Sequence, residues 1–298
     1  MIRPAAVRWS WCLAALFAGG VFQVGCGGAR TSTYTKIDDM EGPGPFIEWT
    51  AGPGTTQGFW YTATDCSEDH RISPPPDWVD ASGWSYAALP APQETMPGTM
   101  STHAVRFRTT SPLVGIWGAN VGFDFANPAS DGGVVVGPSD AGASINDAGA
   151  CAPPPLTDYP IPTADLTAYA GVTFWARAES PGGSVMRVHV LDVNTDPRGG
   201  ICNGQDTNAP DYCFNGFGVD LQLTETFRQY TLDFSQFTQR GGWGYHPPPP
   251  GNDWSRVYLM VFEMDLPSCA ASATTMCAGG APSLSFDYWI DDVYFVNK

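Results

Sequence analysis

The sequence predicts an all-β fold: a two-sheet antiparallel β-sandwich (jelly roll) with long loops and disulfides. Three observations carry that prediction. Proline and glycine, 27 and 34 residues of 298, punctuate the chain too often for long helices. Short runs alternate apolar and polar residues with the two-residue period of strands. None of these runs is followed by the amphipathic helix that a parallel α/β sheet requires.

The elements follow in order. Residues 1–8 carry Arg3 and Arg8 and no acid, and residues 9–25 carry no charge and are mostly apolar. A basic start followed by a short apolar run reads as an export signal. Gly19, Gly20 and Gln23 interrupt the run, which is too short to span a bilayer. It ends Gln23-Val24-Gly25-Cys26. This resembles the lipobox of bacterial lipoproteins, although Gln23 stands where leucine is usual. The resemblance implies cleavage before Cys26, lipid on its thiol, and a hold on the membrane without a spanning helix. Gly27 in place of an aspartate points to the outer membrane. Residues 26–35 are small and polar and read as a tether.

The fold proper is expected over 36–298. Residues 103–109 alternate, with Val105 and Phe107 on one face and Arg106 and Arg108 on the other. Val121, Phe123 and Phe125 share a face, and residues 172–177 form a strand. Residues 184–193 set Arg187 and His189 opposite Met186, Val188 and Val190. Val219, Leu221 and Leu223 oppose Asp220 and Gln222, and residues 227–234 and 284–296 alternate likewise. Residues 257–264 are apolar on both faces, as a central strand is. Residues 127–155 read by composition as a partly disordered insertion.

Charge and cysteine bound the function. The chain carries 14 basic and 30 acidic residues. Removing residues 1–25 takes two arginines and leaves 12 against 30, or −18. Such acidity excludes nucleic acid as a partner, because phosphate binding needs lysine and arginine. Of eight cysteines, Cys12 leaves with the signal and Cys26 takes lipid. Cys66, Cys151, Cys202, Cys213, Cys269 and Cys277 remain, an even set in an exported chain and therefore disulfides. About 15 pairings are open. Local spacing favours Cys202 with Cys213 and Cys269 with Cys277, leaving Cys66 with Cys151. No pair has the C-x2-C spacing of structural zinc.

A family resemblance rests on four landmarks: Ile37-Asp38-Asp39-Met40-Glu41-Gly42; residues 166–177, ending Phe174-Trp175-Ala176-Arg177; residues 227–234 followed by Gly242-Trp243-Gly244; and Trp289-Ile290-Asp291-Asp292-Val293. Their order is similar to that in family 11 carbohydrate-binding modules and their galactose-binding-like relatives. The resemblance implies a jelly roll whose first and last strands lie together, with structural Ca2+ near Asp38, Asp39, Glu41, Asp291 and Asp292. Carboxylates from two chain ends suit a cation that takes six to eight oxygen ligands.

Sugar recognition needs aromatic surface beside hydrogen-bonding groups. By strand parity, Arg187, His189, Asp220 and Gln222 share one open, polar sheet face, and Tyr258 and Trp117 add aromatic surface. Trp175 and Trp289, in landmark strands, read as core. Residues 242–246, Gly-Trp-Gly-Tyr-His, read either as a binding loop or as a turn anchored by its indole. Catalytic signals are few: the four histidines form no H-E-x-x-H pair, and no G-x-S-x-G elbow occurs. The expected function is a non-catalytic, surface-tethered lipoprotein that binds a carbohydrate such as a β-glucan. A structural or adhesion lipoprotein without a sugar site is the alternative, and a glycan-active hydrolase with paired carboxylates is the third reading.

Overall fold

A computed structural model describes residues 34–42, 44–50, 57–64, 72–74, 85–95, 99–110, 119–126, 144–145, 151–152, 162–179, 185–204, 209–264 and 285–298. The strands are β1 (Tyr34–Asp38), β2 (Phe59–Thr64), β3 (Ile72–Ser73), β4 (Ala87–Glu94), β5 (Met100–Thr109), β6 (Ala119–Asp124), β7 (Ser144–Ile145), β8 (Cys151–Ala152), β9 (Tyr169–Ala178), β10 (Val185–Asp192), β11 (Phe217–Gln222), β12 (Arg228–Asp233), β13 (Val257–Met264) and β14 (Asp287–Asn297). Two 3-10 turns, Pro197–Gly199 and Phe234–Gln236, interrupt them. Among the described residues, no helix is long and apolar enough to cross a membrane.

Two antiparallel sheets form the sandwich. One runs β12-β9-β14-β5-β3, with β1 added to β14 and β4 to β5; the other runs β11-β10-β13-β6-β2. β13 lies between β10 and β6, the central position its two apolar faces predict. Residues 127–143, 146–150 and 153–155 of the expected insertion lie outside the described residues; β7 and β8 pair within it.

The core is built by alternation. Phe174 and Ala176 of β9 and Tyr288, Ile290, Val293 and Phe295 of β14 turn inward from one sheet. Val188 of β10, Met260 and Phe262 of β13 and Val121 and Phe123 of β6 turn inward from the other. Rings interlock across the gap: Phe174 meets Phe262 edge-on at 5.2 Å, and Phe125 stacks on Phe295 at 5.9 Å. Such pairs add about 0.5–1.5 kcal/mol each beyond their burial.

Trp289, expected in the core, is buried at 3% exposure, but on the outer face of the larger sheet rather than in the cluster between the sheets. It alternates outward, and the guanidinium groups of its cross-strand neighbours Arg106 and Arg177 lie over its ring at 4.7 and 5.0 Å. Trp175, also expected in the core, is half-buried on the same face. Arg106 is held by a bidentate pair to Asp287 at 2.9 and 2.6 Å.

Candidate functional site

The sheet face chosen by parity exists as a group. Arg187 pairs across with Asp220 and Val185 with Gln222, while His189 faces Gly218. Arg187, His189, Asp220 and Gln222 therefore share the outer face of the five-stranded sheet. That face is not open as expected. Arg187 is 4%, His189 6% and Tyr258 7% exposed. Phe59, Tyr61, Leu191, Leu259 and Val261 form a second buried apolar cluster there, against which Phe214 packs.

Residues 193–204 and 209–216 explain the burial around Arg187, His189 and Tyr258. Asp192, buried, accepts hydrogen bonds from the amides of Asn194 and Thr195 and from the amide of Asp253, fixing the start of the segment. Arg198 then lies across Tyr258, its guanidinium 4.7 Å from the ring centre. It donates to Asp196 through Nε and Nη2, at 2.9 and 2.8 Å, and to Asp124 through Nη1 at 2.8 Å. Both acids are at most 1% exposed. The Cys202–Cys213 disulfide closes the segment, as spacing favoured. Sequence reading missed this plug, because nothing local marks Arg198 as reaching strand β6.

Arg187 is likewise committed. It donates to Asp220 at 2.9 Å and to the backbone oxygens of Thr238 and Gly216 at 2.6 and 3.4 Å. His189 is fully enclosed, and burial, with the charges of Arg187 and Arg240, holds its pKa well below 6.5. Gly216 permits this enclosure: a Cβ there would stand 2.4 Å from His189 Nδ1. Arg187, His189 and Tyr258 are thus packing residues, a correction to the expected groove. Asp220 and Gln222 remain exposed on edge strand β11, and Arg240 pairs with Asp220 at 3.0 Å. Trp117 lies outside the described residues.

Beside β11 stands an exposed aromatic turn. Trp243 is 37% exposed, so its indole does not anchor the loop. Buried Asn215 does so, donating from Nδ2 to the carbonyls of Trp243 and Arg240 at 2.7 and 3.0 Å. Gln239 Nε2 donates to the carbonyls of Asn215 and Tyr245 at 2.6 and 2.8 Å. The Tyr245 amide reaches the Tyr212 carbonyl at 2.8 Å, joining the turn to the disulfide segment. Gly244 has φ +71°, and a Cβ there would meet Asn215 Cβ at 2.6 Å, so only glycine closes the turn.

The acids of the two chain ends divide into two groups. Asp38 is a core tie: Trp60 Nε1 and the Tyr86 hydroxyl each donate to its Oδ2 at 2.6 Å, and the Met40 amide to its Oδ1 at 3.0 Å. Burial still lifts its pKa to about 6. Ligand oxygens of Asp38, Asp39 and Glu48, the last missed in the sequence, lie within 4.8 Å of one another. Lys36 already serves that trio, at 2.8 Å from Asp39 and 2.5 Å from Glu48.

Asp291 and Asp292 differ. Asp291 is 0% exposed; no hydrogen bond of ordinary geometry reaches its carboxylate, although the Ser101 side chain and the Asp292 amide partly offset the upward push on it. Burial, then the charge of Asp292, pushes its pKa up to about 8. Asp292 is also raised, chiefly by burial, and holds a left-handed φ of 49°. Its carboxylate accepts from Thr95 and Tyr294. Glu41 adds its charge to both and is fixed by the Thr102 and His103 amides at 2.6 and 2.9 Å. Of the five predicted ligands, Asp38 and Asp39 lie, with Glu48, in a group close enough to share a cation; Glu41, Asp291 and Asp292 belong to no such group among the described residues.

Cys26, Cys66, Cys269 and Cys277 lie outside the described residues, as does the side chain of Cys151.

The geometry defines a two-sheet antiparallel β-sandwich. Solved structures of carbohydrate-binding modules are similar to it at low identity. A family 11 module from Clostridium thermocellum, in complex with a β-1,3-1,4-mixed-linked tetrasaccharide, is 10% identical, with TM-score 0.38, covering 89% of this chain and 95% of that one. The family 11 module of the cellulosomal cellulase Lic26A-Cel5E of Clostridium thermocellum is 9% identical, with TM-score 0.38, over 90% and 96%. A solution structure of CtCBM11 is 10% identical, with TM-score 0.40, over 91% and 98%. No protein-family model matches the chain. No curated protein matches it.

Proposed function

We propose that the chain is a non-catalytic glycan-binding lipoprotein of the cell envelope, whose contact surface is the Trp243 turn and the adjoining edge of β11. One observation carries the reading: a 37% exposed indole stands on a turn whose backbone is fixed by the buried amide of Asn215. An exposed ring on a fixed backbone stacks on the apolar face of a pyranose at a reduced ordering cost. His246, three positions on, and Asp220 and Gln222 on the edge strand β11 are exposed and supply hydroxyl-reading groups.

Ca2+ among the acids of the joined chain ends, Asp38, Asp39, Glu41, Asp291 and Asp292, stabilises them in this reading. Lipid on Cys26 holds the domain to the outer membrane; Cys26→Ser is expected to release it into the soluble fraction. The test of function is affinity electrophoresis on mixed-linkage β-glucan with a glycan array beside it. Retention lost in Trp243→Ala supports the proposal. No retained glycan, or retention indifferent to Trp243, overturns it. The buried, salt-bridged state of Arg187 favours the second reading, a structural lipoprotein without a sugar site.

A further inference from the structure

A separate cleft of about 630 Å³ opens where the turn before β9, the 3-10 turn after β12, the loop before β13 and the end of β14 converge. Its size falls within the roughly 300–1,000 Å³ of small-molecule sites. Trp243 is not among the residues that line it.

The cleft has an aromatic floor braced from below. Trp254 is half-buried and stacks on buried Phe234 at 4.3 Å and 18°, with Phe237 edge-on at 5.7 Å. Tyr169, also half-buried, stacks on Phe295 at 4.1 Å and 12°. Each ring is fixed on one side by a buried phenylalanine while lining the cleft.

The rim is polar and fixed in place. Asp233, Ser235, Asn252 and Lys298 line it. Asp233 accepts from the Ser235 amide at 2.7 Å and closes a capping box with Gln236. Lys298 Nζ donates to the Thr167 carbonyl at 2.7 Å. Asp233 and Lys298 place a carboxylate and an ammonium on the rim.

Rigid apolar rings below and hydroxyl, amide and carboxylate groups above match a neutral pyranose, whose C–H face is apolar and whose edge is ringed by hydroxyls. We propose that this cleft is a second saccharide site, distinct from the Trp243 turn, taking a short neutral oligosaccharide. The inference rests on the glycan-binding reading and assigns that reading a second place on the fold.

The test uses the mature protein labelled with 5-fluorotryptophan, followed by 19F NMR. Trp254→Phe and Trp243→Phe assign the two signals. Cellobiose and a mixed-linkage β-glucan tetrasaccharide are titrated in. The expected result is a saturable shift of the Trp254 signal that persists in Trp243→Ala. Asp233→Asn and Asn252→Ala, on the rim and outside the aromatic packing, should each weaken it at least about fivefold, the scale of one lost polar contact. A Trp243 shift with Trp254 unmoved overturns the cleft and leaves the glycan reading standing. No shift at either position overturns both. A Trp254 shift alone supports the cleft and removes the Trp243 turn.

Discussion

The side-chain amide of Asn215 donates to the main-chain oxygen of Trp243 over 2.7 Å, so a residue 2% exposed fixes the backbone of one 37% exposed. Rigidity and accessibility are thereby assigned to different residues. Asn215→Ala removes two hydrogen bonds and leaves the Trp243 and Arg240 carbonyls without this donor, at a cost of about 1–3 kcal/mol. It should lower both the melting temperature and glycan retention. Trp243→Ala should abolish retention while moving the melting temperature by no more than about 1 °C, as for surface changes generally. Thermal melts beside affinity electrophoresis separate the two.

Arg198 bridges Asp124 and Asp196, both buried. Arg198→Met removes this guanidinium from both enclosed carboxylates and should cost about 3–5 kcal/mol. Adding Asp124→Asn and Asp196→Asn to that variant removes both charges and should restore most of the loss. Urea denaturation of the three forms reads this directly.

The Cys202–Cys213 bridge spans 11 positions. Replacing both cysteines with serine should cost about 2–4 kcal/mol. Because the bridge closes the segment that carries Arg198, hydrogen exchange in residues 193–216 should rise before that of β10 or β13.

Burial, then the charges of Arg187 and Arg240, lowers the pKa of His189 well below the ordinary 6.5, although the Glu263 carboxylate lies 3.6 Å from its Nε2. A depressed histidine contributes stability that is present above about pH 6.5 and is lost as pH falls toward the folded value, since unfolding then takes up a proton. His189→Gln should therefore flatten the fall in melting temperature between about pH 6.5 and 5. An unchanged profile would refute the assignment.

Asp291 gives the opposite sign without metal. Its pKa, raised to about 8 by burial, makes the ionised form costly in the fold. In EDTA at pH 8, Asp291→Asn should melt higher than the parent protein. In calcium the order should reverse. Saturation at about 100 times Kd adds roughly 2.7 kcal/mol to the parent, a shift of several degrees that the variant should lack.

The sandwich was legible because alternation is a local signal: Val105 and Phe107, and Val188 and Val190, face inward as their two-residue period requires. Parity also grouped Arg187, His189 and Asp220 correctly. It did not show whether the face was covered, because the cover depends on Arg198 meeting Asp124 across 74 positions. Trp289 is buried as its hydrophobicity suggests, but only the register reveals that two arginines on the outer face enclose it. Gly242-Trp243-Gly244 announced a turn, but the anchor, Asn215, lies 28 residues earlier.

The pairing of β1 with β14 has a consequence for how the chain reaches this state. Thr35 bonds Asn297 across 262 positions, among the most distant contacts the chain makes. Contacts of such separation form late, because their loop-closure entropy is paid before they return anything. β9 and β5 can meet β14 without β1, but one side of Val293–Val296 then lacks the partner that β1 supplies. Until that strand arrives, the backbone of this segment is an unsealed edge, open to pairing with a neighbouring chain. The first strand is in this sense a seal against self-association, and deleting residues 34–38 should yield a protein that aggregates in proportion to its concentration.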